Sequence, residues 1–169
     1  MDSSVKLYSL NYKEAKTYLF VLLFVCGNVA LPQLCHLVPG GGLMWLPIYF
    51  FTLIASYKFG LRVGLLTAIL SPIVNNLLFG MPPSDVLPHI LIKSSLLAVA
   101  AAYAANRFKS ISFVALVAVV MFYQVAGIAF EWLIDRDFFV AIQDFRLGIP
   151  GMLVQIFGGY FLLKIIARL

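Results

Sequence analysis

Residues 17–37, TYLFVLLFVCGNVALPQLCHL, run for 21 positions without a single Lys, Arg, Asp or Glu. At a rise of about 1.5 Å per residue, roughly 20 apolar residues carry a helix across the hydrocarbon core of a bilayer. This stretch is therefore predicted to cross a membrane, with Pro32 loosening one end of it. The same reading repeats along the chain over 43–58, 63–79, 86–105, 111–133 and 148–166. Most of the breaks between these runs are short: VPGGG at 38–42, KFGLR at 58–62, GMPPSD at 80–85, NRFK at 106–109 and DRD at 135–137. Glycine, proline and clustered charge are the residues that end helices and start turns. The chain is thus expected to be all-α, a polytopic bundle of six transmembrane helices forming one integral membrane domain over residues 1–169. Residues 1–16 are predicted to add a short interfacial helix, because Val5, Leu7, Tyr8 and Leu10 alternate with charge. Residues 138–147 read as an amphipathic segment, with Phe138, Phe139, Ile142 and Phe145 against Gln143, Asp144 and Arg146.

Composition excludes the competing classes. The chain is 63% hydrophobic and 11% charged, with a mean hydropathy of +1.00. Soluble domains average about half apolar and a quarter charged, so a soluble enzyme is excluded by this balance. The net charge of +5 does not point to a nucleic acid, because the basic residues stand singly at span ends and form no patch. Cys26 and Cys35 lie nine helical residues apart, about 13 Å, too far to bridge within one continuous helix. The first apolar run is too long for a cleaved signal peptide, and Val25 before Cys26 does not fit a lipoprotein site. It is expected to be a retained helix.

Six spans place both termini on one side, and the basic residues say which. One side carries Lys6, Lys13, Lys16, Lys58, Arg62, Arg107, Lys109, Lys164 and Arg168, the other only Arg136 and Arg146. Nine against two puts both termini in the cytoplasm by the positive-inside rule. Asp85, Glu131, Asp135, Asp137 and Asp144 all fall at the opposite, outer end. No inverted repeat of the kind that marks many secondary transporters is visible.

Lys93 falls inside a span, where an ionisable group is costly unless it faces a cavity or a partner. His89 lies one turn away on the same stripe. One reading makes Lys93 an anion-binding cation in an outward pocket; the other has it snorkel or pair with a carboxylate such as Glu131. On the fifth span, Gln124, Gly127 and Glu131 share a face, with Tyr123 alongside and Trp132 near the rim. The small residue between two polar ones is expected to leave room for a ligand, although interhelical hydrogen bonds would use the same residues. Of the neighbours Asn75 and Asn76, at least one must face the bundle. Gln155 adds an amide in the sixth span, and Arg146 a guanidinium suited to carboxylate recognition. His36 and Trp45 flank the loop Pro39-Gly40-Gly41-Gly42, a candidate lid. No phosphate-cradling G-x-x-x-x-G-K-[ST] loop, G-x-S-x-G elbow or H-E-x-x-H helix is present, so no catalytic residue, metal ligand or cofactor site is assigned to this chain. Small residues at Gly60, Gly64 and Ala68, and along Ala98 to Ala105, are suited to close helix packing.

The succession His36-Leu-Val-Pro-Gly-Gly-Gly42, Leu46-Pro47, Lys58-Phe-Gly-Leu-Arg-Val-Gly64, Leu70-Ser-Pro72, Gly80-Met-Pro-Pro83 and Leu87-Pro88 resembles the substrate-binding S components of energy-coupling-factor transporters, over about residues 30–105. The resemblance implies a six-helix subunit of a bacterial or archaeal cytoplasmic membrane that captures one vitamin or related micronutrient near its outer face. It implies partners too: a transmembrane coupling subunit and two cytosolic ATPases, which bind the ATP. The loop over residues 38–42 would then be the gate. The pocket expected on this reading is lined by Asn76, His89, Lys93, Gln124 and Glu131, with Arg146 and Trp45 near the gate and Asn75, Tyr123 and Gln155 around it. Lys93 and Arg146 point to a solute bearing a carboxylate or another acidic group. Two features depart from the family pattern: only Cys26, Gly27 and Ala30 offer small positions on the first span, and Lys93 stands where relatives tend to carry an acid. Met1-Asp2, in place of Met-His, argues against a nickel or cobalt substrate. The alternative reading is a six-span scaffold of the cell-wall elongation machinery, which needs no deep polar pocket.

Overall fold

The computed structural model describes residues 10–167. Most of the interfacial helix expected over 1–16, together with Lys6 and Arg168 of the orientation count, lies outside the described residues. The elements in chain order are α1 (Ala15–Cys35), α2 (Gly41–Trp45), a 3-10 turn (Pro47–Tyr49), α3 (Phe50–Phe59), α4 (Leu61–Phe79), α5 (Leu87–Phe108), α6 (Phe113–Asp135), α7 (Phe138–Ala141), α8 (Gln143–Leu147), α9 (Ile149–Leu153), a π-helical turn (Val154–Gly158) and α10 (Gly159–Ala167). No strand occurs among the described residues. Six helical stretches are long and apolar enough to cross a membrane: α1, Gly41–Phe59, α4, α5, α6 and Ile149–Ala167. Their ends lie within three residues of the span ends expected from the sequence.

The second of these stretches is the centre of the bundle. It is the least apolar of the six, yet 67% of its window is buried against at most 39% for the others. Thr52 through Phe59 are all buried, and α3 packs against α1, α4, α5 and α10. The outer helices instead expose apolar side chains, such as Leu19, Leu22 and Leu23 on α1 and Phe122, Val125 and Leu133 on α6. A bundle that is apolar outside and carries its polar groups inside is built for lipid surroundings.

Two of the six stretches are not regular helices. The expectation for the second was a continuous span with Pro47 tolerated in its first turn. Instead the chain breaks at Leu46, which takes a left-handed conformation (φ 45°, ψ 47°), and resumes through the 3-10 turn into α3. A branched residue in that region costs about 1–2 kcal/mol, and proline at the head of the restarted segment needs no N–H donor. The sixth stretch contains the π-helical turn, which carries Gln155 into the interior. Single π turns are rare and widen a helix locally.

A satisfied polar seam locks α1, α3 and α4 together. Asn28 Nδ2 donates to Thr52 Oγ1 (3.0 Å) and Ser71 Oγ (3.1 Å), and its Oδ1 accepts from the Phe51 N–H (3.1 Å). Asn75 Nδ2 donates to the carbonyls of Asn28 (2.8 Å) and Ser71 (3.1 Å). Phe51 sits in the first turn of α3, where N–H groups lack partners within the helix, so Asn28 caps the restarted helix from across the bundle.

Where α3 turns back into α4, Gly60 has φ 89° and Gly64 lies directly on Ser56. A Cβ at Gly64 would collide with Ser56 Oγ and crowd its backbone. Gly64→Ala is therefore expected to destabilise the detergent-solubilised protein by about 1–3 kcal/mol, read as a lower thermal midpoint. Ser56→Gly in the same chain should restore part of the loss, because it removes the nearest colliding atoms.

Candidate solute-binding cavity

The break in the second span leaves a cavity of about 340 Å³ beside it. Its walls are Pro32 and His36 from the end of α1, Gly42, Leu43 and Leu46 through Tyr49 from the broken span, Asn75 from α4, Met81, Pro82 and Pro83 from the following loop, Val86 and Ile90 at the start of α5, and Asp144 from α8. Leu43, Met81, Pro83 and Val86 are exposed and form its mouth. The walls are mostly apolar, with a few polar groups. This volume and lining are in the range of sites for small organic molecules.

Lys93 does not line this cavity. It is wholly buried, with Nζ 2.7 Å from Glu131 Oε2 and 2.8 Å from Asp144 Oδ2. Its aliphatic stem lies over Gly127, where a Cβ would come within 2.6 Å of Lys93 Cγ. The space expected between Gln124 and Glu131 for a ligand is thus filled by the lysine itself. Lys93 is held by two carboxylates from α6 and α8, and Asp144 stands between it and the cavity, so it is no uncompensated cation for an anionic solute. His89, one turn earlier, places Nε2 3.3 Å from Asp135 Oδ1, close enough for an ion pair when protonated but not aligned as a hydrogen bond.

The remaining expected site residues divide between the bundle core and the surface. Tyr123 and Gln155 lie in the core, where the Tyr123 hydroxyl donates to Gln155 Oε1 (3.0 Å) and its ring packs on Tyr49 with centroids 5.4 Å apart. Gln124 is fully buried, and neither its Oε1 nor its Nε2 has a hydrogen-bond partner among the described residues. Asn75 reaches the cavity wall, but both amide hydrogen-bond donations go to the α1–α4 seam and its Oδ1 faces Gln33 Nε2 at 3.4 Å. Asn76 points the other way, donating to the Pro82 carbonyl (2.7 Å) and fixing the loop at the mouth. Trp45, Trp132 and Arg146 are exposed and contribute nothing to the cavity wall; Arg146 makes no ion pair among the described residues.

The glycine loop is tighter than expected. Pro39 and Gly40 form an exposed turn with Gly40 at φ 73°, but Gly41 already begins α2. A Cβ at Gly41 would strike the Cys35 carbonyl, and one at Gly42 would come 2.6 Å from His36 Nε2. The loop is therefore packed down on the end of α1.

Tyr49, Asp144 and Asn28, outside the expected set, turn out to matter, as does His36, expected only beside the loop. Tyr49 is 2% exposed, lines the cavity and has no partner for its hydroxyl among the described residues; His36 Nδ1 is likewise unpaired among them. Asp144 joins the cavity to Lys93, and Asn28 holds the seam. Asn28 carries the same mid-span amide signal that singled out Asn75. Tyr49 carries no such signal, because an aromatic residue in an apolar run reads as core.

Compared with models of known families, with curated proteins and with solved structures, the chain matches none of them.

Proposed function

We propose that this chain is the solute-binding membrane subunit, or S component, of an energy-coupling-factor transporter, capturing a small vitamin-like micronutrient at the outer face of a bacterial or archaeal cytoplasmic membrane. A transmembrane coupling subunit and two cytosolic ATPases would drive its delivery inward. The observation that supports this reading is the cavity beside the broken second span, at the end of the bundle opposite most of the basic residues. Its polar groups are few and partly without protein partners, as expected of a site that orients one molecule in apolar walls. A scaffold has no use for such a chamber.

Native mass spectrometry of the gently purified protein tests the reading. The expected spectrum has a small-molecule adduct at one per chain. Ile90→Trp, which fills the cavity from α5, should lose the adduct while eluting as the same folded species on size exclusion. Wild-type protein that carries no adduct and instead captures wall-synthesis proteins would favour the scaffold.

A further inference from the structure

The charge balance around the cavity narrows what it accepts. Lys93 contributes one positive charge to the buried cluster, Glu131 and Asp144 contribute two negative ones, and the carboxylate nearest the cavity is Asp144. Lys93 reaches only Asp144 Oδ2, and Oδ1 has no partner among the described residues. Among the described residues, no lysine or arginine lines the cavity. An anion placed there would meet a like charge in poorly screened surroundings, whereas a cation would bring the cluster to balance.

A second observation, independent of the acids, points to a ligand. Tyr49 forms part of the wall, is almost completely buried, and its hydroxyl has no hydrogen-bond partner among the described residues. A phenol oxygen accepts from an N–H, and the face of its ring attracts a positive charge. The Asn75 amide is already committed to the seam, so the polar groups left to a solute are the Asp144 carboxylate, which accepts, and the Tyr49 hydroxyl and His36 imidazole, which can either accept or donate.

We propose that the solute is a small, largely apolar molecule carrying one positively charged nitrogen, held between Asp144 and Tyr49. This rests on the solute-binding reading above and specifies its substrate class. It reverses the acidic solute expected from Lys93 and Arg146.

Tryptamine, tryptophol and indole-3-acetate share one ring system and differ in charge, so equilibrium dialysis of each against the full-length protein in nanodiscs isolates the charge effect. Tryptamine is expected to bind at least about tenfold more tightly than indole-3-acetate, the usual scale for a buried charge-assisted contact. Asp144→Asn should abolish that preference; it leaves Lys93 matched one to one with Glu131, so the fold should survive. Tyr49→Phe provides a second comparison, lowering tryptamine affinity several-fold whether or not Asp144→Asn can be purified. The solute released from native complexes should be a cation at neutral pH. Equal or tighter binding of indole-3-acetate, a preference unchanged in both variants, or a released solute that is neutral or anionic would overturn the cation assignment and leave the solute-binding reading standing. If no probe binds and no solute is released, both fall.

Discussion

Lys93→Met is expected to cost about 3–5 kcal/mol of stability, because it leaves Glu131 and Asp144 facing each other in the bundle without their shared ammonium. The size of the effect comes from what remains behind: two partly buried carboxylates with like charge and no counter-ion. Replacing all three together, as Lys93→Met with Glu131→Gln and Asp144→Asn, should recover most of the loss, since neutral groups need no counter-charge. Thermal unfolding in detergent, followed by light scattering or tryptophan fluorescence, measures both variants. A single substitution that unfolds no earlier than wild type would show that the three groups are not mutually dependent. A triple variant as unstable as the single one would place the cost in lost packing of the lysine stem over Gly127 instead.

Asn28→Leu is the next largest expected effect, at about 2–3 kcal/mol. Its side chain makes three hydrogen bonds, to Thr52, Ser71 and the Phe51 amide. Each is worth about 1 kcal/mol net, and a buried donor left alone costs more than that. The Phe51 N–H is the backbone group most affected, because it sits in the first turn of α3 and donates to Asn28 Oδ1. Hydrogen exchange should therefore show faster exchange at Phe51 than at residues deeper in α3, such as Tyr57. Unchanged protection at Phe51 would mean that the cap is dispensable.

The six long helices were legible because each apolar run is long, sparsely charged and bounded by glycine, proline or charge. The break at Leu46 was not. Pro47 read as an ordinary first-turn residue, and nothing in Trp45-Leu46-Pro47 announces a left-handed leucine; tertiary contacts, including Gly151 against the Trp45 backbone, hold it there. The site was legible in part. The cost of intramembrane charge singled out Lys93 correctly as a residue needing an explanation and admitted Glu131 as its partner. Asp144 lies 51 residues further along the chain, in a segment whose amphipathic pattern read as surface, so pairing across that distance had no local signal. Gly127 misled for a related reason: small residues make room, but sequence does not say for what, and here it is the lysine stem.

The interruption at Leu46 also divides the second span mechanically. Below it, α3 is bolted to its neighbours through Asn28, Thr52 and Ser71; above it, the five residues of α2 run from the glycine loop to Leu46 and rest against α8, Gly151 and the end of α1. The left-handed Leu46 thus joins a piece fastened by side-chain hydrogen bonds to one fastened by close backbone packing, two kinds of attachment that a continuous helix would not have separated.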